Sequence, residues 1–114
     1  MGLNKKYHMG NIGNTKEIKN IKFTIIGLGL IGGSLSRVLR QRLDVHDITA
    51  IDKNTDSLYQ ALKDNSITRG FTEVNEYVWD SDIIFICTPV RYTIEYIELI
   101  YEKLKPESII TDVG

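Results

Sequence analysis

The sequence has little cysteine and histidine, with one cysteine, Cys87, and two histidines in 114 residues. A lone cysteine cannot form an intramolecular disulfide, and no cysteine or histidine spacing matches a zinc site. We therefore predict no metal and favour a reducing, cytoplasmic location. Long apolar runs are also missing, since nothing approaches the roughly 18 residues of a membrane span or the apolar core of a signal peptide. The sequence thus predicts neither a secreted nor a membrane-spanning protein.

The sequence also lacks an excess of either charge. Its 14 Lys and Arg residues face 15 Asp and Glu residues, for a formal net charge of −1. A nucleic-acid binder or a polybasic membrane anchor needs a strong positive surface, so we predict neither kind of partner. At this length the chain has room for one domain with a sizeable core.

The first twenty residues differ from the rest in composition. They are rich in Asn, Gly and Lys and show no helical or strand period, which is typical of a flexible leader or a tag remnant. From Ile21 onward, short apolar runs alternate with amphipathic stretches. We therefore predict a leader over residues 1–20 and one domain over residues 21–114.

Alternation of strands and helices defines the predicted fold. Two helices are predicted from apolar stripes, the first made of Ile31, Leu35, Val38 and Leu39, and the last, which ends before Pro106, made of Ile94, Ile97, Ile100, Tyr101 and Leu104. Between them, Asn54 can cap a helix that runs to about Lys63 with Leu58, Ala61 and Leu62 facing inward. A helical turn is predicted over Glu76–Trp79. Strands are predicted at Lys22–Ile26, Asp47–Ile51, Gly70–Thr72, Asp82–Cys87 and Ser108–Val113. This order predicts an α/β, Rossmann-like, doubly wound parallel sheet of about five strands with helices on both faces, an incomplete version of that fold.

A glycine motif lies between the first strand and the first helix. Gly27, Gly29 and Gly32 form G-x-G-x-x-G, and Asp52 follows twenty residues after Gly32 at the end of the next strand. The first glycine permits a tight turn, the second admits a pyrophosphate and the third permits close helix packing. The helix N-terminus near Leu30 and Ile31 offers N–H groups to phosphate. The alternatives without a ligand are an ordinary strand-to-helix turn for the glycines and a solvated turn residue for Asp52.

The identity of the dinucleotide depends on Asp52 and its neighbour. A carboxylate there accepts hydrogen bonds from a ribose 2′-hydroxyl and repels a 2′-phosphate, which favours NAD over NADP. Lys53 argues the other way, because a cation in this loop could accommodate the phosphate. We predict NAD and keep NADP as the alternative.

The strongest strand is followed by Thr88 and Pro89, which should border the nicotinamide because ligands lie at the carboxyl ends of strands in this fold. Cys87 is interpreted as a small core residue, since no histidine accompanies it in a motif. His46 should lie at the opposite, amino-terminal edge of the sheet, and His8 lies in the leader. Neither is assigned a role.

Four runs resemble the prephenate and arogenate dehydrogenases of tyrosine biosynthesis. They are FTIIGLGLIGGSL (Phe23–Leu35), ITRGFTEV (Ile67–Val74), SDIIFICTPV (Ser81–Val90) and IITDVG (Ile109–Gly114), and the pair Gly32-Gly33 before Ser34 is the most characteristic. The resemblance implies NAD-linked oxidative decarboxylation of prephenate to 4-hydroxyphenylpyruvate, with a histidine as base. In the family that histidine, in a His-Pro motif, a substrate-binding arginine and a helical dimerisation domain all follow the position of Gly114.

The resemblance implies cofactor contacts but no catalytic residue in this chain. The contacts carried over are Gly27, Gly29, Leu30, Ile31, Gly32, Asp52, Thr88 and Pro89, with Val113 and Gly114 as secondary candidates. We expect the chain to bind cofactor without turning over prephenate, and to be a monomer or weak dimer where the full-length protein is a homodimer. The alternatives are an arogenate or other small-acid NAD(P)-dependent dehydrogenase, and a stand-alone module that senses dinucleotide.

Overall fold

The computed structural model describes residues 6–7 and 16–113. Its first strands, β1 (Lys6–Tyr7) and β2 (Lys16–Glu17), pair antiparallel, and a 3-10 turn follows over Ile18–Asn20. Ile18 packs against the hydrophobic core. The expectation that nothing before Ile21 has regular structure is therefore wrong for these described residues. Two-residue strands are too short to produce a hydrophobic period, which explains why the sequence did not indicate them.

From Lys22 onward, strands and helices alternate as predicted. The elements are β3 (Lys22–Ile26), α1 (Leu30–Gln41), β4 (Asp47–Ile51), α2 (Thr55–Lys63), β5 (Arg69–Phe71), α3 (Glu76–Trp79), β6 (Ile83–Ile86), α4 (Val90–Ile100) and β7 (Ile109–Asp112). The main difference is at α4, which ends at Ile100 rather than near Pro106. Among the described residues, no helix is both long and apolar enough to cross a membrane.

Five parallel strands form one open sheet in the order β5-β4-β3-β6-β7. The chain builds outward from β3 through β4 to β5, then returns to the other side of β3 and builds outward through β6 to β7. Ile26 pairs with both Ile51 and Ile86, so the carboxyl ends of the three central strands are level. The reversal beside β3 opens a crevice at this edge, and the predicted doubly wound architecture is confirmed.

Helices cover both faces of the sheet, and each face has its own apolar core. Phe23 and Ile25 of β3 point to the core that contains Leu39 of α1 and Leu58 of α2. Ile26 points to the other core, where Val78 of α3 and Ile100 of α4 pack. Strand residues that alternate between two buried faces explain the continuous apolar runs in the sequence.

The predicted inward stripe of α1 is confirmed at Leu39, which is buried, and at Leu35, which packs against the core, but not at Ile31 and Val38. Gly32, Ser36 and Leu39 are buried, whereas Ile31 and Val38 are 52% and 48% exposed. The buried face is made partly of small residues, because the helix lies so close to β3 that bulkier side chains do not fit. The stripe of apolar residues therefore identified the helix and part of its inward face, but not the small buried residues Gly32 and Ser36. In α2 the predicted inward placement is confirmed for Leu58 and Ala61 and wrong for Leu62, which is 44% exposed.

Candidate functional site

A cavity of about 400 Å³ opens at the carboxyl ends of β3, β4, β5 and β6. Its walls come from the loops after these strands and from one face of α4. The lining residues are Gly27, Ile51, Asp52, Lys53, Glu73, Val74, Thr88, Tyr92, Glu95, Tyr96 and Leu99. The structure thus brings together three predicted site residues from three separate loops, namely Gly27, Asp52 and Thr88.

Gly27 makes the turn that ends β3. Its φ is +96°, a value that side chains rarely tolerate, and its N–H donates to the carbonyl oxygen of Ile51 at 2.7 Å. A Cβ at this position would lie 3.0 Å from the carbonyl oxygen of Cys87 and 3.0 Å from Cγ2 of Thr88. The turn therefore requires glycine, both for its backbone conformation and for its close contact with the end of β6.

Gly32 and Gly29 differ in what surrounds them. A Cβ on Gly32 would lie 1.9 Å from the carbonyl oxygen of Gly27, so this glycine is needed for packing α1 against the turn. A Cβ on Gly29 would meet nothing within 4 Å. The protein's own packing therefore does not explain glycine at position 29, and the open space outside this loop fits a group such as a pyrophosphate lying against the backbone.

The amino terminus of α1 faces this open space. The helix begins at Leu30 with Gly29 as its N-cap, and no side chain caps it. Leu30 is 87% exposed, so its side chain does not block the approach. The first N–H groups of a helix have no intrahelical partner and carry partial positive charge, an arrangement that suits a phosphate group.

Asp52 links the end of β4 to the glycine loop. One carboxylate oxygen, Oδ2, accepts from the backbone N–H of Leu28 at 2.7 Å, and Oδ1 accepts from the N–H of Asn54 at 2.8 Å. The carboxylate is therefore fixed at the edge of the cavity by both neighbouring loops. Each oxygen can accept a second hydrogen bond, so Asp52 can still bind a ribose hydroxyl.

Lys53, whose charge complicated the choice of dinucleotide, has a carboxylate partner. Its Nζ donates to Oε1 of Glu73 at 2.5 Å, and both side chains line the cavity. This hydrogen bond raises the pKa of Lys53, which keeps the ammonium charged. The cation is thus paired within the cavity wall.

The segment after β6 lies beside the glycine turn. Thr88 lines the cavity and Pro89 is the N-cap of α4. The buried Oγ1 of Thr93 donates to the carbonyl oxygen of Thr88 at 3.3 Å, which ties the segment to α4. Val113, at the end of β7, donates its N–H to Ile86 at 3.1 Å and is exposed at the same edge of the sheet. Gly114 lies outside the described residues.

One wall of the cavity was not predicted. Tyr92, Glu95, Tyr96 and Leu99 line it from α4, together with Glu73 and Val74 after β5. Their spacing of three, four and seven residues along α4 is the signal that was available, because it places them on one helix face starting one turn after Pro89. Burial raises the pKa of Tyr96, so its hydroxyl stays neutral and able to donate.

Cys87 and His46 match their expected positions. Cys87 packs against the core, and burial raises the pKa of its thiol to about 11, which suits a structural residue rather than a nucleophile. The His46 side chain is exposed, and the backbone N–H of His46 donates to the carbonyl oxygen of Lys19 at the amino-terminal edge of the sheet. Within the described part of the chain, no three His, Cys, Asp or Glu side chains converge as metal ligands do.

The chain is similar to proteins of one known family. The model of the family described as prephenate dehydrogenase, nucleotide-binding domain, matches residues 35–114. The chain belongs to this family. A curated relative is the prephenate dehydrogenase of Bacillus subtilis (strain 168), which is 32% identical over 100 residues. That match covers 85% of this chain and 27% of the relative.

Solved structures of the prephenate dehydrogenase family share the fold. The prephenate dehydrogenase from A. aeolicus, in complex with hydroxyphenyl propionate and NAD+, superposes with a TM-score of 0.76 at 26% identity, covering 82% of this chain and 33% of that one. Synechocystis arogenate dehydrogenase superposes with a TM-score of 0.74 at 29% identity, with the same coverage. The chain thus spans about a third of these structures or less, and it corresponds to the nucleotide-binding part of the family.

Proposed function

We propose that this chain is the NAD-binding domain of a prephenate dehydrogenase. The observation that carries the proposal is the open space at Gly29, since a glycine that packing does not require lies at the uncapped start of α1. The family match supports the same function independently, because the family is a nucleotide-binding domain.

The site residues divide between the two halves of the dinucleotide. The N–H groups at Leu30 and Ile31 would hold the pyrophosphate, and Asp52 would accept from the adenosine ribose. The cavity beyond Asp52, with Val74 and Tyr96 in its walls, would hold the adenine. Thr88 and Pro89 would border the nicotinamide, together with Val113 and Gly114 at the end of β7. The bound nicotinamide would supply the acceptor for a hydride.

We propose NAD rather than NADP as the cofactor. Asp52 is fixed at the cavity edge by two backbone N–H groups, so its charge cannot move away from an incoming 2′-phosphate. Like charges held close together at a partly desolvated site repel each other, whereas a 2′-hydroxyl donates a hydrogen bond to the same carboxylate.

The reaction we propose is oxidative decarboxylation of prephenate to 4-hydroxyphenylpyruvate by a longer polypeptide that includes this domain. The chain spans about a third or less of the relatives' length, and we place the base and the substrate contacts in the part that it does not span. Positioning and one base suffice when the developing product is aromatic. Arogenate is the second candidate substrate, because an arogenate dehydrogenase is among the similar structures.

Titration with NADH tests the proposal. Binding to the 114-residue chain should saturate within the millimolar range, seen as enhanced nicotinamide fluorescence or as heat in calorimetry. A chain with intact circular dichroism and no saturable signal would rule out the assignment. A second assay adds prephenate and NAD to the pure chain, where we expect no NADH production, and prephenate-dependent turnover would contradict our placement of the base outside this chain.

A further inference from the structure

The cavity contains more negative than positive charge in its walls. Asp52, Glu73 and Glu95 contribute carboxylates, and Lys53 contributes the one ammonium group among the lining residues. The motif explains neither Glu95, which lies on α4, nor Glu73, which lies after β5. The position of Glu73 in the wall nevertheless follows from the fold.

Strand register places Glu73 beside Lys53. Ile51 of β4 pairs with Phe71 of β5, and the N–H of Asp52 donates to the carbonyl oxygen of Phe71 at 3.0 Å. Two positions further along each segment, Lys53 and Glu73 are again neighbours. The contact between Lys53 and Glu73 therefore follows from the backbone pairing, and their hydrogen bond completes it.

We propose that Glu73 is a specificity-determining residue that selects a dinucleotide with an unphosphorylated ribose, by keeping Lys53 paired. The inference rests on the proposed function, because it assumes that the adenosine ribose binds at Asp52. Lys53 is the residue next to Asp52, and it is the one cation among the residues that line the cavity. While Glu73 holds the ammonium, a 2′-phosphate meets one paired cation and the carboxylates of Asp52 and Glu73, whose sum is negative.

The size of the effect is limited by exposure. The side chains of Lys53 and Glu73 are 67% and 73% exposed, so solvent and salt screen their charges. Removing the Glu73 charge both frees Lys53 and removes one repulsive carboxylate. Together these changes should raise the ratio of NADPH affinity to NADH affinity by roughly fivefold to tenfold at low salt, and by less at high salt.

The test compares Glu73→Gln with Glu98→Gln by NADH and NADPH fluorescence titration. Glu98 is exposed on α4 outside the cavity lining, so its variant removes the same charge from the chain as a whole. We expect the affinity ratio to rise in the first variant only. The double variant Lys53→Met/Glu73→Gln should lose most of the gain, because the freed ammonium is gone.

Three results would separate the possible failures. If the wild-type chain keeps its circular dichroism and binds neither dinucleotide, the proposed function itself is wrong. If NADH binds and the ratio in Glu73→Gln matches that in Glu98→Gln, Glu73 has no part in selection. If the gain persists in the double variant, or is unaffected by 0.5 M salt (about a 4 Å screening length), Glu73 does not act through Lys53.

Discussion

Alanine at Gly32 should lower the stability of the fold, whereas alanine at Gly29 should lower the affinity for cofactor. The added Cβ at Gly32 would lie 1.9 Å from the carbonyl oxygen of Gly27, and real Cβ contacts do not fall below 3.0 Å. The difference, 3.0 − 1.9, means that α1 must move away from the turn by at least 1.1 Å. The obstructing atom belongs to the backbone, so no side-chain rotation can relieve the contact.

Overpacking of this kind costs about 1–3 kcal/mol of unfolding free energy. For a domain of this size, that lowers the melting temperature by roughly 4 °C per kcal/mol. At Gly29 the added Cβ meets nothing within 4 Å, so the cost is under about 1 kcal/mol, mainly because alanine is a poorer N-cap than glycine. The same methyl group would occupy the space we assign to the pyrophosphate.

Thermal unfolding followed by circular dichroism, together with NADH titration, measures both effects. We expect Gly29→Ala to melt near the wild type and to lose at least about tenfold in NADH affinity, equivalent to about 1.4 kcal/mol. Gly32→Ala should melt lower whether or not cofactor is present. Unchanged NADH affinity in a stable Gly29→Ala chain would refute our interpretation of the open space, and a wild-type melting temperature for Gly32→Ala would refute the packing argument.

Other predictions concern stability, reactivity and assembly. Asn54 caps α2 by accepting from the N–H groups of Asp56 and Ser57, so Asn54→Ala should cost about 1 kcal/mol in urea unfolding, and an unchanged midpoint would contradict the cap. Cys87 should alkylate about a hundredfold more slowly at pH 8 in the folded chain than in the unfolded chain, because its pKa rises from 9.0 to about 11; mass spectrometry showing equal rates would contradict its burial. The chain should sediment as a monomer or weak dimer, and a tight dimer at micromolar concentration would be contrary evidence.

Features that depend on contiguous residues could be predicted from the sequence. The glycine turn, the strand that ends just before Asp52 and the Asn54 cap each depend on a few contiguous residues, and the structure has all three where they were expected. Local spacing determines such features, because the backbone conformation of a short segment decides which atoms meet.

Features that depend on contacts between distant segments could not be predicted in this way. The partnership of Lys53 with Glu73 requires the register of β4 against β5, and β5 is only three residues long. The inward face of α1 requires the distance between the helix and Gly27, which the apolar stripe did not indicate. Tyr96 lines the cavity because α4 starts just after Thr88 and packs beside the loops at the ends of the strands, and that packing cannot be predicted from α4 alone.

The two hydrogen bonds to the Asp52 carboxylate restrict substitution at Asp52, whereas Lys53 and Glu73 are free of that restriction. Replacing Asp52 would loosen the loop at Leu28 as well as the ribose contact, so stability and cofactor preference would change together. Lys53 and Glu73 carry no such structural duty in the loop, and their side chains are largely exposed. Changes in cofactor preference within a lineage of such domains would therefore be accessible first through this outer pair, with the inner aspartate retained until later substitutions support the loop.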